Sequence, residues 1–189
     1  LSGRGIDYEL IAYEGGPSGY WQNKKKPEID ELYGKSVAMG LAALDAWLYS
    51  SQLGFKHQSY LGFSSGKWWS SHTLPEAGGF RPHAGWLALQ MRNRYAKGDC
   101  MRELVFDSVP TYERNGQTIP LLAAYAMTNN RACSVFLLNR KMPGKHSDMD
   151  FGNGTTPVTL NLPFRSVNKI TVHRIARTDG APADPRDNN

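Results

Sequence analysis

One glutamate stands out by its position. Leu10, Ile11, Ala12 and Tyr13 form a strand-like apolar run, and Glu14 ends that run directly before Gly15, Gly16 and Pro17. A carboxylate carried by a strand to a glycine-rich corner is suited to nucleophilic or acid–base chemistry. The strand aims it, and the glycines leave space beside it for a ligand. A salt-bridged carboxylate in a tight turn is the competing reading of the same residues. A second loop, residues 64–72 (SSGKWWSSH), carries Lys67, the adjacent Trp68 and Trp69, and His72. Neighbours on an extended loop point opposite ways. One of the two indoles is therefore expected to face a ligand and the other to pack. His72 is suited either to hydrogen-bonding a ligand hydroxyl or to a structural role.

Other chemistries fit less well. Residues 62–66, GFSSG, match the Gly-x-Ser-x-Gly elbow of serine hydrolases with Ser64 as nucleophile. That elbow requires a helix directly after the turn, and KWWSSHTLP reads as loop. The sequence has no Gly-rich phosphate loop after a strand and no His-Glu-x-x-His. His57, His72 and His83 are too scattered for a metal cluster. Asp148 and Asp150 lack the twelve-residue calcium-loop pattern and read as a hairpin tip. Neither a metal nor a cofactor is expected. Cys100 and Cys133 have no metal-ligand spacing, which leaves buried free thiols or one disulfide open.

The elements that must position these residues follow from periodicity and punctuation. Residues 8–13 read as a buried strand and 15–26 as a polar loop. A long helix follows, with Pro27 suited to a first helical position and Glu28, Asp30 and Glu31 to the positive end of its dipole. Val37, Leu41, Leu44 and Leu48, with Trp47 beside them, form its apolar face. Gly54 is placed as its stop. Residues 57–63 read as a second strand, and a second helix is expected from Pro82 to Tyr95. Trp47 and Trp86 lie inside helices and are expected in the core. Residues 1–97 thus have the order of a parallel α/β architecture. After Lys97-Gly98-Asp99 the pattern changes to short β-like runs, with Asn115-Gly116 as a hairpin turn. TPVTLNLP and KITVHRI complete what reads as an antiparallel sandwich over residues 98–177. Residues 178–189 form a polar tail.

Bulk properties narrow the field. The chain has 189 residues and a formal net charge of +5. Its only basic run, Lys24 to Lys26, reads as a solvated loop before a helix rather than a nucleic-acid patch. No stretch approaches the roughly 18 apolar residues of a membrane span, and no signal peptide is visible. Position 1 is Leu, as in a mature product or a fragment.

The AYEGG segment at a strand end resembles the nucleophile strand of clan A glycoside hydrolases, the retaining (β/α)8 enzymes. In that clan the nucleophile is a Glu at the end of the seventh barrel strand, and the eighth strand often brings an aromatic residue under the sugar. SYLGFSSGKWW follows Glu14 after one long helix, in the order the clan requires. Several members, arabinofuranosidase-like and xylosidase-like among them, append a β-sandwich to the barrel. The resemblance implies that residues 1–97 are the last two strand–helix units of a TIM barrel, followed by the sandwich. It implies a secreted, extracellular or periplasmic hydrolase acting on a polysaccharide or oligosaccharide. Glu14 would be the nucleophile. Trp68 or Trp69 would stack on a sugar, and Trp21, Tyr20 and Lys67 would serve outer subsites. Tyr13 would contact the substrate or face the barrel wall.

The chain departs from the clan in one large respect. A complete barrel needs eight strand–helix units and about 250 residues. The clan's acid/base Glu, usually in an Asn-Glu pair, has no counterpart here and would lie upstream of Leu1. The chain is therefore expected to be a C-terminal piece that works with an upstream portion of the same polypeptide. Two barrel units alone would expose large apolar edges. A homo-oligomer is compatible with the sequence. A non-catalytic carbohydrate-binding or structural protein that keeps the barrel shape is the alternative.

Overall fold

The computed structural model describes residues 4–5, 7–15, 34–60, 62–63, 71–72, 82–98, 100–102, 104–141, 145–146, 149–150, 155–162 and 169–176. Strand β1 (Leu10–Gly15) leads to helix α1 (Val37–Gln52), strand β2 (Phe55–Tyr60) and helix α2 (Ala84–Tyr95). β1 and β2 pair in parallel, with α1 on the connection between them. The second half is antiparallel. β3 (Cys100–Arg102), β6 (Leu122–Thr128) and β7 (Cys133–Asn139) form one sheet in the order β3-β6-β7. β4 (Thr111–Arg114) and β5 (Gln117–Pro120) form a hairpin, and β8 (Lys145–His146) pairs with β9 (Met149–Asp150).

Local chemistry accounts for the ends of these elements. Ser36 caps α1, its side chain accepting from the Met39 amide at 3.2 Å. This satisfies one of the amides that a helix start leaves without a partner. The expected start at Pro27 lies outside the described residues. At the other end the Leu53 amide bonds back to the Tyr49 carbonyl, and Gly54 takes φ +91°, a stop that glycine makes without steric cost. Asn115 (φ 51°) and Gly116 (φ 73°) form the two-residue β4–β5 turn, where positive φ at both positions matches the twist of the strands.

Helix α1 is buried on two flanks. Leu44 and Leu48 pack with Ala88 of α2 against Ala123, Tyr125, Phe136 and Leu138 of β6 and β7. Ala43 and Trp47 pack with Leu89 against Tyr60 and Trp86, on the side of the parallel pair. The helix layer therefore lies between two β-layers. Gly40 sets the crossing of α1 and α2, because a Cβ there would stand 2.7 Å from the Ala84 carbonyl oxygen. Asp45 ties α1 to the antiparallel sheet. Its carboxylate accepts hydrogen bonds from the Tyr125 hydroxyl and from the Arg140 guanidinium, with Nε at 2.8 Å.

The sheets also settle points that the sequence left open. Cys133 is a free thiol whose pKa burial pushes up. Cys100 and Cys133 pair with Thr128 from opposite sides. That puts them two strand spacings apart, about 9.5 Å, beyond the roughly 7 Å reach of a disulfide. The runs TPVTLNLP and KITVHRI, read from the sequence as strands, carry no ladder pairing over their described residues, 156–162 and 169–175. Of their apolar side chains Ile170 and Val172 are largely exposed, at 72% and 83%, while Ile175 packs against the core. Alternation defines a face to be covered but not the strand that pairs with it.

Asp45→Ala is expected to destabilise the fold by about 2 kcal/mol in urea unfolding, because it leaves Arg140 and Tyr125 without their acceptor. The alkaline limb carries a second signature. Burial, and then the bond to Asp45, hold the Tyr125 phenol protonated well above its ordinary value of about 10. Folded stability is full below that pH and falls as the pH rises past it, since only the unfolded phenol ionises there. Tyr125→Phe is expected to flatten that decline in a pH series of unfolding curves.

Candidate functional site

The C-terminal ends of β1 and β2 lie side by side, because the strands are parallel and Gly15 pairs with Tyr60. The register between them is uneven. Ala12 pairs with Gln58 and Gly15 with Tyr60, so three steps along β1 match two along β2. This is a β-bulge at Tyr13-Glu14, and an opposite shift between Leu10 and Ile11, where one step along β1 matches two along β2, restores the count. In an unbroken strand residues 12 and 15 would face opposite sides, and one of residues 13 and 14 would share the buried face. Here Ala12 and Gly15 are both half-buried, whereas Tyr13 and Glu14 are both exposed. Tyr13 reaches 80%. The bulge turns two adjacent side chains, a phenol and a carboxylate, away from the helix layer together.

Gly15 has a specific neighbour. A Cβ on it would stand 3.3 Å from the Trp47 Nε1 and 3.3 Å from the Ser59 carbonyl oxygen. The position a side chain would take on this glycine is occupied by the edge of the indole and by the Ser59 carbonyl. Gly16 lies outside the described residues.

Beyond β2 the chain builds a small buried network. The Ser71 amide bonds to the Gly62 carbonyl and the His72 amide to the Phe63 carbonyl, each at 3.1 Å, and the His83 amide bonds to the Ser71 carbonyl at 2.8 Å. The Ser71 hydroxyl donates to the Phe63 carbonyl at 2.7 Å and lies 2.8 Å from the His72 Nδ1. A hydroxyl has one proton. Since Ser71 donates it to the carbonyl, Nδ1 is the protonated nitrogen and donates to Ser71. The acceptor nitrogen of the neutral ring is then Nε2. Burial lowers the His72 pKa. Its ring lies against Phe63 and Trp86, with centroids 4.5 and 5.2 Å away. His72 is thus part of an aromatic wall at the same end of the strands as Glu14.

Trp21, Lys67, Trp68 and Trp69 lie outside the described residues, as do Tyr20 and Ser64. Trp47 is buried in the core as expected of its place inside a helix, whereas Trp86 is only half-buried against it; both also floor the strand ends through Tyr60. The Tyr60 ring is 5.7 Å from Trp47 and 6.0 Å from Trp86. Its hydroxyl is buried without a hydrogen-bond partner, and burial pushes its pKa up. Ser71, Phe63 and Tyr60 were not singled out by sequence reasoning, since no local pattern distinguishes a serine that orients a histidine from one in a polar loop. Among the described residues, no group of three or more His, Cys, Asp or Glu is placed to hold a metal ion. No described helix is long and apolar enough to cross a membrane.

Removing the Ser71 hydroxyl takes away the oxygen that the buried Nδ1–H meets at 2.8 Å. Ser71→Ala is expected to cost about 1–3 kcal/mol of stability in denaturant unfolding. His72 contributes on the acid side. Its folded pKa is depressed below the ordinary 6.5, so the stability it holds is present above that pH and is lost as the pH falls. His72→Gln is expected to weaken this acid sensitivity.

No protein-family model, no curated protein and no solved structure matches this chain.

Proposed function

We propose that this chain is part of a retaining glycoside hydrolase acting on a polysaccharide or oligosaccharide, with Glu14 as the nucleophile. One observation carries the reading. An exposed glutamate sits at the C-terminal end of a parallel strand, turned outward by a β-bulge. Strand ends of this kind hold the chemistry of α/β barrels, and bulges recur where a strand re-aims a side chain beside an active site. The resemblance of AYEGG to the clan A nucleophile strand supports the same assignment.

In this mechanism a Glu14 carboxylate oxygen attacks the anomeric carbon as the glycosidic C–O bond breaks. A second carboxylic acid protonates the departing oxygen. Water then attacks the glycosyl–Glu14 ester, that second group takes the water's proton, and the sugar leaves with its configuration retained. The second carboxyl group must lie about 5–5.5 Å from Glu14. It would come from a portion of the polypeptide that completes the barrel. The open side of the β1–β2 pair supports such a partner. Tyr8, Leu10, Ile11 and Tyr13 in and before β1 are all exposed, whereas parallel strands are ordinarily covered on both faces. Trp68 or Trp69 would stack on a sugar ring, with Trp21 and Lys67 further out. A secreted, extracellular or periplasmic setting follows from a polysaccharide substrate.

The test is covalent trapping. With the completing portion present, a 2-deoxy-2-fluoro aryl glycoside is expected to add its sugar mass to the peptide containing Glu14. Glu14→Gln is expected to lower turnover by roughly three orders of magnitude. Full turnover in Glu14→Gln would remove Glu14 from the chemistry. Oligosaccharide binding without hydrolysis by the unaltered protein would favour the non-catalytic carbohydrate-binding alternative.

A further inference from the structure

We propose that Trp47 and Gly15 form a positioning pair for Glu14. The proposal rests on the reading of Glu14 as the attacking carboxylate. Glu14 is exposed, so its direction depends on its backbone, and the described residue that fixes that backbone most closely is the next one. Gly15 is enclosed on three sides. Tyr60 is its partner across the strand pair, the Ser59 carbonyl oxygen faces it, and the Trp47 indole edge closes the third side. Both the Ser59 oxygen and the Trp47 Nε1 would be 3.3 Å from a Cβ. At that distance a methyl group forces a shift of a few tenths of an ångström in its neighbours or in β1. Gly15 does not have a positive φ. Contact with these two neighbours, rather than backbone conformation, is therefore the reason for glycine at this position.

Trp47 cannot easily be the part that moves. It is buried in α1, and its ring packs against Tyr60, which in turn meets Trp86 nearly edge-on, at 81°. Its carbonyl accepts from the Gln58 amide nitrogen at 3.1 Å and from the Ser51 hydroxyl at 2.9 Å, which links α1 to β2 at this level. The indole is thus a fixed stop against which the end of the bulge is seated. Its effect passes through Gly15 to the carboxylate one residue away. Trp47 touches no reacting atom and is a positioning residue.

The experiment uses the complete native protein and a size swap. Gly15→Ala is expected to lower kcat about tenfold or more with KM changed less than about twofold, the pattern of a misdirected catalytic group. Replacing the indole by a smaller ring makes room for the added methyl. The double variant Gly15→Ala/Trp47→Phe is expected to recover most of the lost kcat, which a merely destabilising pair of changes would not do. An unchanged kcat in Gly15→Ala overturns the proposal, and so does a loss that Trp47→Phe fails to relieve. Hydrogen–deuterium exchange of the amides around residues 12–15 gives a readout without substrate. Exchange there is expected to rise in Gly15→Ala and to return in the double variant. If Glu14→Gln retains full turnover, the glycosidase reading has failed, and this exchange pattern alone decides the seating of the bulge. Should Gly15→Ala not fold, Trp47→Phe alone is expected to raise the same exchange. Unchanged exchange in that variant overturns the proposal.

Discussion

Helix α1 must be buried on two flanks at once, and the rest of the molecule is arranged around that requirement. Trp47 and Leu48 are neighbours in sequence and about 100° apart around the helix, so they serve different layers. Leu48 and Leu44 join the core beneath β6 and β7, while Trp47 and Ala43 meet the side of the parallel pair. A helix with so wide an apolar stripe is stable only between two partners. The close approach of α2 at Gly40 widens the layer without opening a gap. The two halves of the chain, one parallel and one antiparallel, are thereby joined through shared hydrophobic packing.

Polar groups within this arrangement are mostly satisfied, and the pattern is informative. Asp45 is matched by Arg140 and Tyr125, so the charge carried between helix and sheet is compensated where water is scarce. Ser71 lets a histidine sit inside an aromatic wall by giving its Nδ1–H an acceptor. Tyr60 differs. Its hydroxyl is buried with no hydrogen-bond partner among the described residues, and the residue itself pairs with Gly15 across the strands. A buried hydroxyl of this kind calls for an explanation, and it belongs to the covered side of the strand pair, where the Tyr60 ring meets Trp47 and Trp86.

The strand pair itself has one covered face and one open face. On the covered side Gly15 and Tyr60 meet Trp47. On the open side Ile11, at 57% exposure, and the bulged Tyr13 face outward. The carboxylate proposed for catalysis belongs to this open side. An active site there would be bounded by α1 and α2 only from behind. Its front wall would have to come from whatever covers the pair.

Several features were legible from neighbouring residues alone. The strand ending near Glu14, the α1 stripe with its Gly54 stop, the Asn115-Gly116 turn and the change of character near Gly98 all depend on local propensity and short-range spacing, which a sequence states directly. The bulge could not be read that way. Residues 10–15 show no irregularity until Phe55–Tyr60 is laid beside them, because register is a property of two strands. The same holds for Gly15, which reads as a loosener of the chain and acts as a seat for Trp47, 32 positions away in the sequence. It holds for His72, whose protonated nitrogen is chosen by Ser71 once Phe63 has taken the hydroxyl proton. It also holds for the alternating run at 158–162, where the sequence specifies a face and no pairing partner. The sequence by itself determined the helix stripe, its glycine stop, the hairpin turn and where a carboxylate meets a strand end. The direction in which that carboxylate points was decided by tertiary structure, because it depends on contacts between residues far apart in the chain.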